Sequence, residues 1–129
     1  MSLGGIVYLT CLERHVLLNR SQDDQLVFRS FCGPLAPDLR GLLVAHRAEV
    51  LDFIAWRDEA RAMLMRDFAR IARIYTAGCV LDTAEVNAAE KELHDAFWAE
   101  DKVRFTRAVR QWRLACYRAI RGQWEGAEP

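Results

Sequence analysis

The sequence has no excess of either charge: 18 Lys and Arg stand against 18 Asp and Glu, a formal net charge of zero. That argues against a strongly cationic nucleic-acid binder, although charge can still be segregated on parts of the surface. Paired cysteine spacing is also lacking. Cys11, Cys32, Cys79 and Cys116 are scattered, with no C-x-x-C, and read as reduced, mostly buried thiols of a cytoplasmic protein rather than a disulfide framework or a zinc site. No apolar run approaches the roughly 20 residues that span a bilayer. The start, Met1-Ser2-Leu3-Gly4-Gly5, has no basic segment and no long apolar stretch, so it is not read as a signal peptide. There is no glycine-rich phosphate loop. Prolines number three, and two of them, Pro34 and Pro37, stand together with Gly33.

That cluster opens the most informative stretch, residues 33–56. Gly33 and Pro34 suit neither a helix nor a central strand. Pro37 suits the first position of a helix, where its missing N–H would have no partner anyway. Asp38 adds negative charge at the positive end of the helix dipole. Leu39, Leu42, Leu43, Val50, Phe53 and Ile54 then recur at steps of three and four and form one apolar face. The stretch reads as a turn, a sharp helix start and an amphipathic helix to Trp56.

Upstream, Ile6, Val7, Leu9 and Leu12 predict a short helix over residues 3–14, although Gly4, Gly5 and the β-branched residues weaken it. The apolar runs 15–19 and 26–31 flank the polar cluster Arg20-Ser21-Gln22-Asp23-Asp24-Gln25, the pattern of a β-hairpin. Alternation places Leu26, Phe28 and Ser30 on one face of the second strand and Val27, Arg29 and Phe31 on the other. A two-stranded hairpin is marginal alone and needs helices over one face. Its outer edges still present unpaired N–H and C=O groups to another extended chain.

Downstream of Trp56 the periodicity resumes through Met63, Leu64, Phe68, Ile71, Ala72 and Tyr75. Residues 57–58 are either a turn with Asp58 as N-cap or the polar face of one long helix; the break is the preferred reading. Gly78 reads as a helix stop. Asp82-Thr83-Ala84-Glu85 has the spacing of a capping box led by Asp82. Val86, Ala89, Leu93, Ala96 and Phe97 carry the next helix, Asp101 caps the last one, and Gly122 ends it, with the tail from Trp124 fraying. A chain of 129 residues is one domain, or one with a small appendage, and buries roughly two thirds of its unfolded surface. The expected fold is mostly α with a small N-terminal β-hairpin: an α-β-β-α unit over residues 1–56, then a helical hairpin or bundle over 57–129 packed on it.

The order of the first 56 residues carries a resemblance. Leu26, Phe28 and Arg29 in the second strand, Gly33, Leu35, Pro37 and Leu39 in the turn, and Leu43, His46, Arg47, Ala48, Glu49, Val50 and Leu51 in the helix together resemble the N-terminal docking domain of the tubulysin-synthase (TubC) type. Such domains begin nonribosomal peptide and polyketide synthase subunits, and related copies occur in small bacterial proteins. The family often places a glycine just before the first strand, where this sequence has Arg14-His15. The resemblance implies a mode of action: an exposed strand of the hairpin accepts a short peptide of a partner, and basic residues meet its acidic groups. Edge-strand physics points the same way. The residues implied here are Arg20, Val27, Phe28 and Arg29.

On a helical wheel of about 100° per residue, Phe105, Ala108, Val109, Trp112, Cys116 and Ile120 form one face of the last helix. Arg104, Arg107, Arg110, Arg118 and Arg121 form the other, with Leu114 and Tyr117 among them and Arg113 near the border. An arginine face with an interleaved aromatic suits phosphates or an acidic protein surface. The alternative is a solvated face balanced by Glu90, Glu92, Asp95 and Glu100 on the preceding helix.

Chemistry-bearing patterns are sparse. Glu90 and His94 are four apart and His46 and Glu49 three apart, but neither pair has the further ligands of a metal site. Cys79 has no local base to activate it. Trp56, Trp98 and Trp112 sit at apolar positions and read as core or interface. The sequence therefore predicts no enzyme and no cofactor. It predicts a cytoplasmic, non-catalytic docking or adaptor module that binds a partner segment, including a short acidic peptide or a second copy of itself, at the hairpin edge. The alternative is an accessory subunit of a nucleic-acid-associated complex, in plasmid or phage replication or defence, that contacts phosphates through the arginine-rich helix.

Overall fold

The computed structural model describes residues 1–75 and 81–126, residues 124–126 by their backbone alone. The expected stop at Gly78 and the thiol of Cys79 lie outside the described residues. The element order is α1 (Leu3–Glu13), β1 (Val16–Arg20), β2 (Leu26–Ser30), α2 (Pro37–Ala45), α3 (Arg47–Ala72), α4 (Ala84–Trp98) and α5 (Lys102–Gly126). The chain is mostly helical, with one antiparallel hairpin near the N-terminus. It divides into two compact units, Met1–Asp58 and Glu59–Pro129.

In the first unit, Ser2 caps α1 by accepting a hydrogen bond from the Gly5 N–H at 3.1 Å. The two glycines that weaken α1 as a helix are what allow it to pack. A Cβ on Gly4 would lie 2.0 Å from the carbonyl oxygen of Glu49, and one on Gly5 would lie 3.3 Å from the Phe53 ring. Helix α1 thus rests its backbone directly on the first turn of α3. It ends where His15 turns left-handed, at φ 61°, a conformation that glycine adopts without strain.

The hairpin pairs Val16 with Ser30, Leu17 with Arg29, Leu18 with Phe28, Asn19 with Val27 and Arg20 with Leu26. Residues directly opposite share a face, so Val16 and Leu18, both buried, define the inner face. Val7, Cys11, Leu39, Leu43, Val50 and Ile54 complete that core, with Tyr8, Leu26 and Leu35 packed against it.

Pro37 opens α2 as expected. Asp38 in its first turn also receives Arg14, at 2.6 and 3.1 Å. The helix then departs from expectation: it stops at His46 (φ −121°, ψ 28°), and α3 begins at the next residue. The preferred break at 57–58 does not exist. Asp58 cannot cap there, because its carboxylate is held by Arg57 at 2.8 and 3.1 Å.

In the second unit, α4 and α5 form a helical hairpin. Val86, Ala89, Leu93 and Ala96 are buried on α4, and Phe105, Ala108, Val109, Trp112, Cys116 and Ile120 on α5. Phe97 is half-buried, its ring centroid 6.4 Å from that of Phe105. The cap of α4 is Thr83 rather than Asp82: Thr83 Oγ1 accepts from the Val86 N–H at 3.2 Å, while Asp82 accepts from the Asn87 side chain at 2.7 Å. Asp101 caps α5 through the Arg104 N–H at 3.0 Å. Gly122 does not end α5, which continues past Trp124 to Gly126; one interior glycine costs only about 1 kcal/mol. In the later part of α3 and just beyond it the expected apolar face is largely unburied, with Phe68 53% and Tyr75, past the helix end, 45% exposed. Its buried ridge is Ala60, Asp67 and Ile71.

Gly4→Ala tests the helix contact. The clash with backbone cannot be relieved by rotating a side chain, so a loss of about 2–4 kcal/mol is expected. Gly41→Ala, at a position with nothing within 4 Å, is expected to stabilise by about 0.5–1 kcal/mol. Urea unfolding of the two variants measures both.

Candidate functional site

The hairpin's two outer margins are not equivalent. The Phe31 N–H donates to the His15 carbonyl at 3.1 Å and the Ser21 N–H to the Gln25 carbonyl at 2.8 Å. These bonds set the alternation, so the backbone groups of Val16, Leu18 and Arg20, and those of Leu26, Phe28 and Ser30, point outward. On β1 that margin is partly occupied. Arg57 Nη1 donates to the Leu18 carbonyl at 2.9 Å, and the Arg20 N–H donates to Asn19 Oδ1 at 2.8 Å. On β2, among the described residues, nothing bonds the outward groups of Leu26, Phe28 or Ser30.

Beside the open margin runs a groove of about 450 Å³ between β2 and α2. Leu26, Phe28, Leu35, Leu43 and Val44 line it, with Gln25, Arg40 and Arg47 among them. Phe28 is 49% and Val44 77% exposed. Arg47 donates to Gln25 Oε1, whereas Arg40 makes no ion pair among the described residues. The sequence-predicted residues divide around this margin. Phe28 lines the groove. Val27 and Arg29 lie on the opposite face of the ribbon, the Arg29 guanidinium 5.3 Å from the centre of the Phe31 ring. Arg20 sits at the hairpin end, 3.6 Å from Asp24. A strand added to β2 alternates its side chains between those two faces, so it would meet Arg40 and Arg47 on one and Arg29 on the other. Arg40 and Arg47 escaped the sequence reading as site residues because the turn at Gly33 hides how near α2 and the start of α3 come to β2.

In the second unit, the α5 arginines are also sorted by their partners. Arg104 binds Glu92 in a two-pronged pair, with Nη2 to Oε2 at 3.0 Å, and Arg118 pairs with Glu85. These ion pairs bind the α4–α5 hairpin together and realise part of the balanced-face alternative. Tyr117 is half-buried, and Leu114 and Arg121 are exposed. Arg107 and Arg110 have no ion pair among the described residues. They line a groove of about 630 Å³ with Arg66, Arg70, Lys102 and Arg113. At its base the buried carboxylate of Asp67 accepts from Arg113 at 3.0 Å and from Arg70 at 3.2 Å. Arg66 and Arg70, four apart on α3, were the overlooked signal for this groove.

Among the described residues no group of three or more His, Cys, Asp or Glu converges to hold a metal ion. Burial pushes the Cys116 thiol up to about 11, with Glu90 adding to the shift, and also raises that of Cys11. Both stay protonated near neutral pH. No protein-family model matches the sequence, and no curated protein or solved structure does either. No helix among the described residues is long and apolar enough to cross a membrane.

Two measurements check this geometry. Arg57→Met removes the donor to Leu18 and those to Tyr8 and Asn19; a loss of about 2–3 kcal/mol is expected in urea unfolding. Glu92 is held below the ordinary carboxylate range by its hydrogen bond from Arg104. A lowered value means that the pair stabilises fully above the usual glutamate pKa of about 4.3 and fades as pH falls through the lowered one. Carboxyl NMR titration is expected to show that low midpoint and its return toward the ordinary range in Arg104→Met.

Proposed function

We propose that the protein is a non-catalytic docking module whose first unit takes up an extended segment of a partner protein along the outer margin of β2. One observation carries this reading: the outward groups of β2 are open among the described residues beside an apolar groove, while on β1 Arg57 and Asn19 already take the Leu18 carbonyl and the Arg20 N–H. An added strand gains main-chain hydrogen bonds at Leu26, Phe28 and Ser30, and its alternate side chains gain the groove. Arg29, Arg40 and Arg47 favour acidic residues in that segment. The resemblance of residues 1–56 to synthase docking domains supports the same mode.

The probe is an array of peptides of about twelve residues, alternating apolar and acidic positions, which match the length of a strand with flanks. Binding to the full chain is expected to slow hydrogen exchange at the Phe28 amide. Arg40→Glu with Arg47→Glu is expected to weaken it at least about tenfold, equal to 1.4 kcal/mol. Binding that leaves the Leu26–Ser30 amides unperturbed, or no binding at all, overturns the proposal.

A further inference from the structure

The groove of the second unit carries an inference independent of the hairpin. Successive side-chain contacts join α3 and α5 in the same order along both helices. Lys102 pairs with Glu59, the Thr106 hydroxyl lies 3.6 Å from Met63 Sδ, and Arg113 meets Asp67 at 3.0 Å. The two helices therefore run side by side in the same direction. From Lys102 to Arg113 the groove extends about 16 Å at 1.5 Å per residue.

Its chemistry is mixed in a definite way. Met63, Val103 and Val109 supply an apolar floor, and six cationic side chains stand around a single carboxylate. That carboxylate, Asp67, is buried and already holds Arg70 and Arg113. Arg66, Arg107 and Arg110 are exposed and have no ion pair among the described residues. In a chain of zero net charge, this is a local positive surface without its complement. Val103 is 70% exposed, so the floor also lacks cover.

A phosphate backbone would answer the arginines but not the floor. Among the described residues no aromatic side chain lines the groove, so unstacked bases would find no platform on them. A helix with an apolar stripe and acidic flanks answers both: the stripe covers the floor, and carboxylates on either side meet the guanidiniums of the two walls. The groove's length matches about three turns of such a helix. We propose that the groove between α3 and α5 is a second docking surface, specific for an acidic amphipathic helix of a partner protein.

The test uses the full chain and a phage-displayed library of peptides of about sixteen residues, long enough for the turns the groove can hold. Selected peptides are expected to carry Leu or Met at three- and four-residue spacing with Asp or Glu between. Arg107→Glu with Arg110→Glu is expected to weaken them at least about tenfold. Val103→Ser, at an exposed floor position, is expected to weaken them about threefold to tenfold, as removing apolar contact does. Both variants are checked for an unchanged thermal transition. Arg40→Glu with Arg47→Glu, in the first unit, is expected to leave this binding intact, so failure here and failure of the hairpin proposal are separable. A selection that yields no acidic amphipathic sequences overturns the proposal, as does binding indifferent to Arg107 and Arg110. So does an oligothymidylate that binds more tightly than the best peptide, with affinity falling by a log–log slope of roughly −0.7 per phosphate contacted; that outcome would assign the groove to a nucleic-acid backbone.

Discussion

The architecture of the first unit depends on how one guanidinium is spent. Arg57 reaches the Tyr8 hydroxyl at 3.2 Å, the Leu18 carbonyl at 2.9 Å, Asn19 Oδ1 at 3.0 Å and the Asp58 carboxylate at 2.8 Å. Its planar fork satisfies acceptors that lie on three elements, α1, β1 and α3, which a lysine ammonium could not match in geometry. The consequence is asymmetric. A two-stranded ribbon has two margins that can recruit a foreign strand, and this contact takes the Leu18 carbonyl at the centre of one of them. It also takes Asp58 out of the role of a helix cap, so α3 runs through without interruption.

Arginine is distributed with the same economy elsewhere. Arg14 is committed to Asp38, Arg104 to Glu92, Arg118 to Glu85 and Arg113 to Asp67. These pairs hold local structure together and are individually modest, since most are partly exposed. Among the described guanidiniums outside such pairs, Arg40 stands beside the β2 margin and Arg66, Arg107 and Arg110 gather in the α3–α5 groove, while Arg61 and Arg73 lie in neither place. A net charge of zero therefore conceals two positive patches. Each is joined to exposed apolar surface, and that combination is what suits them to protein segments carrying acid and apolar side chains together.

Where local rules decided the outcome, the sequence was legible. The hairpin followed from two apolar runs around a polar cluster, and its inner face from alternation. The α4–α5 hairpin followed from a stripe of buried residues at helical spacing, with Asp101 as cap. Legibility failed where the pattern is silent. The stripe of Leu39, Leu43, Val50 and Ile54 stays in phase across His46, so periodicity could not reveal the break there. Asp82 and Thr83 are both good caps, and only the hydrogen bond to Val86 distinguishes them. Gly4 and Gly5 looked like defects of a helix, because their value lies in what touches them.

The sequence by itself determined the kinds of element and, outside the later part of α3, most of the residues each one buries, because amphipathic period, turn residues and caps act between near neighbours. Only the tertiary structure decided which ribbon margin stays open and which arginines remain without a counter-ion. Both depend on groups far apart in the chain: Arg57 meets Leu18, and Asp67 meets Arg113. No local pattern encodes those meetings, since a long side chain finds its partner only after the backbone has brought the two within reach.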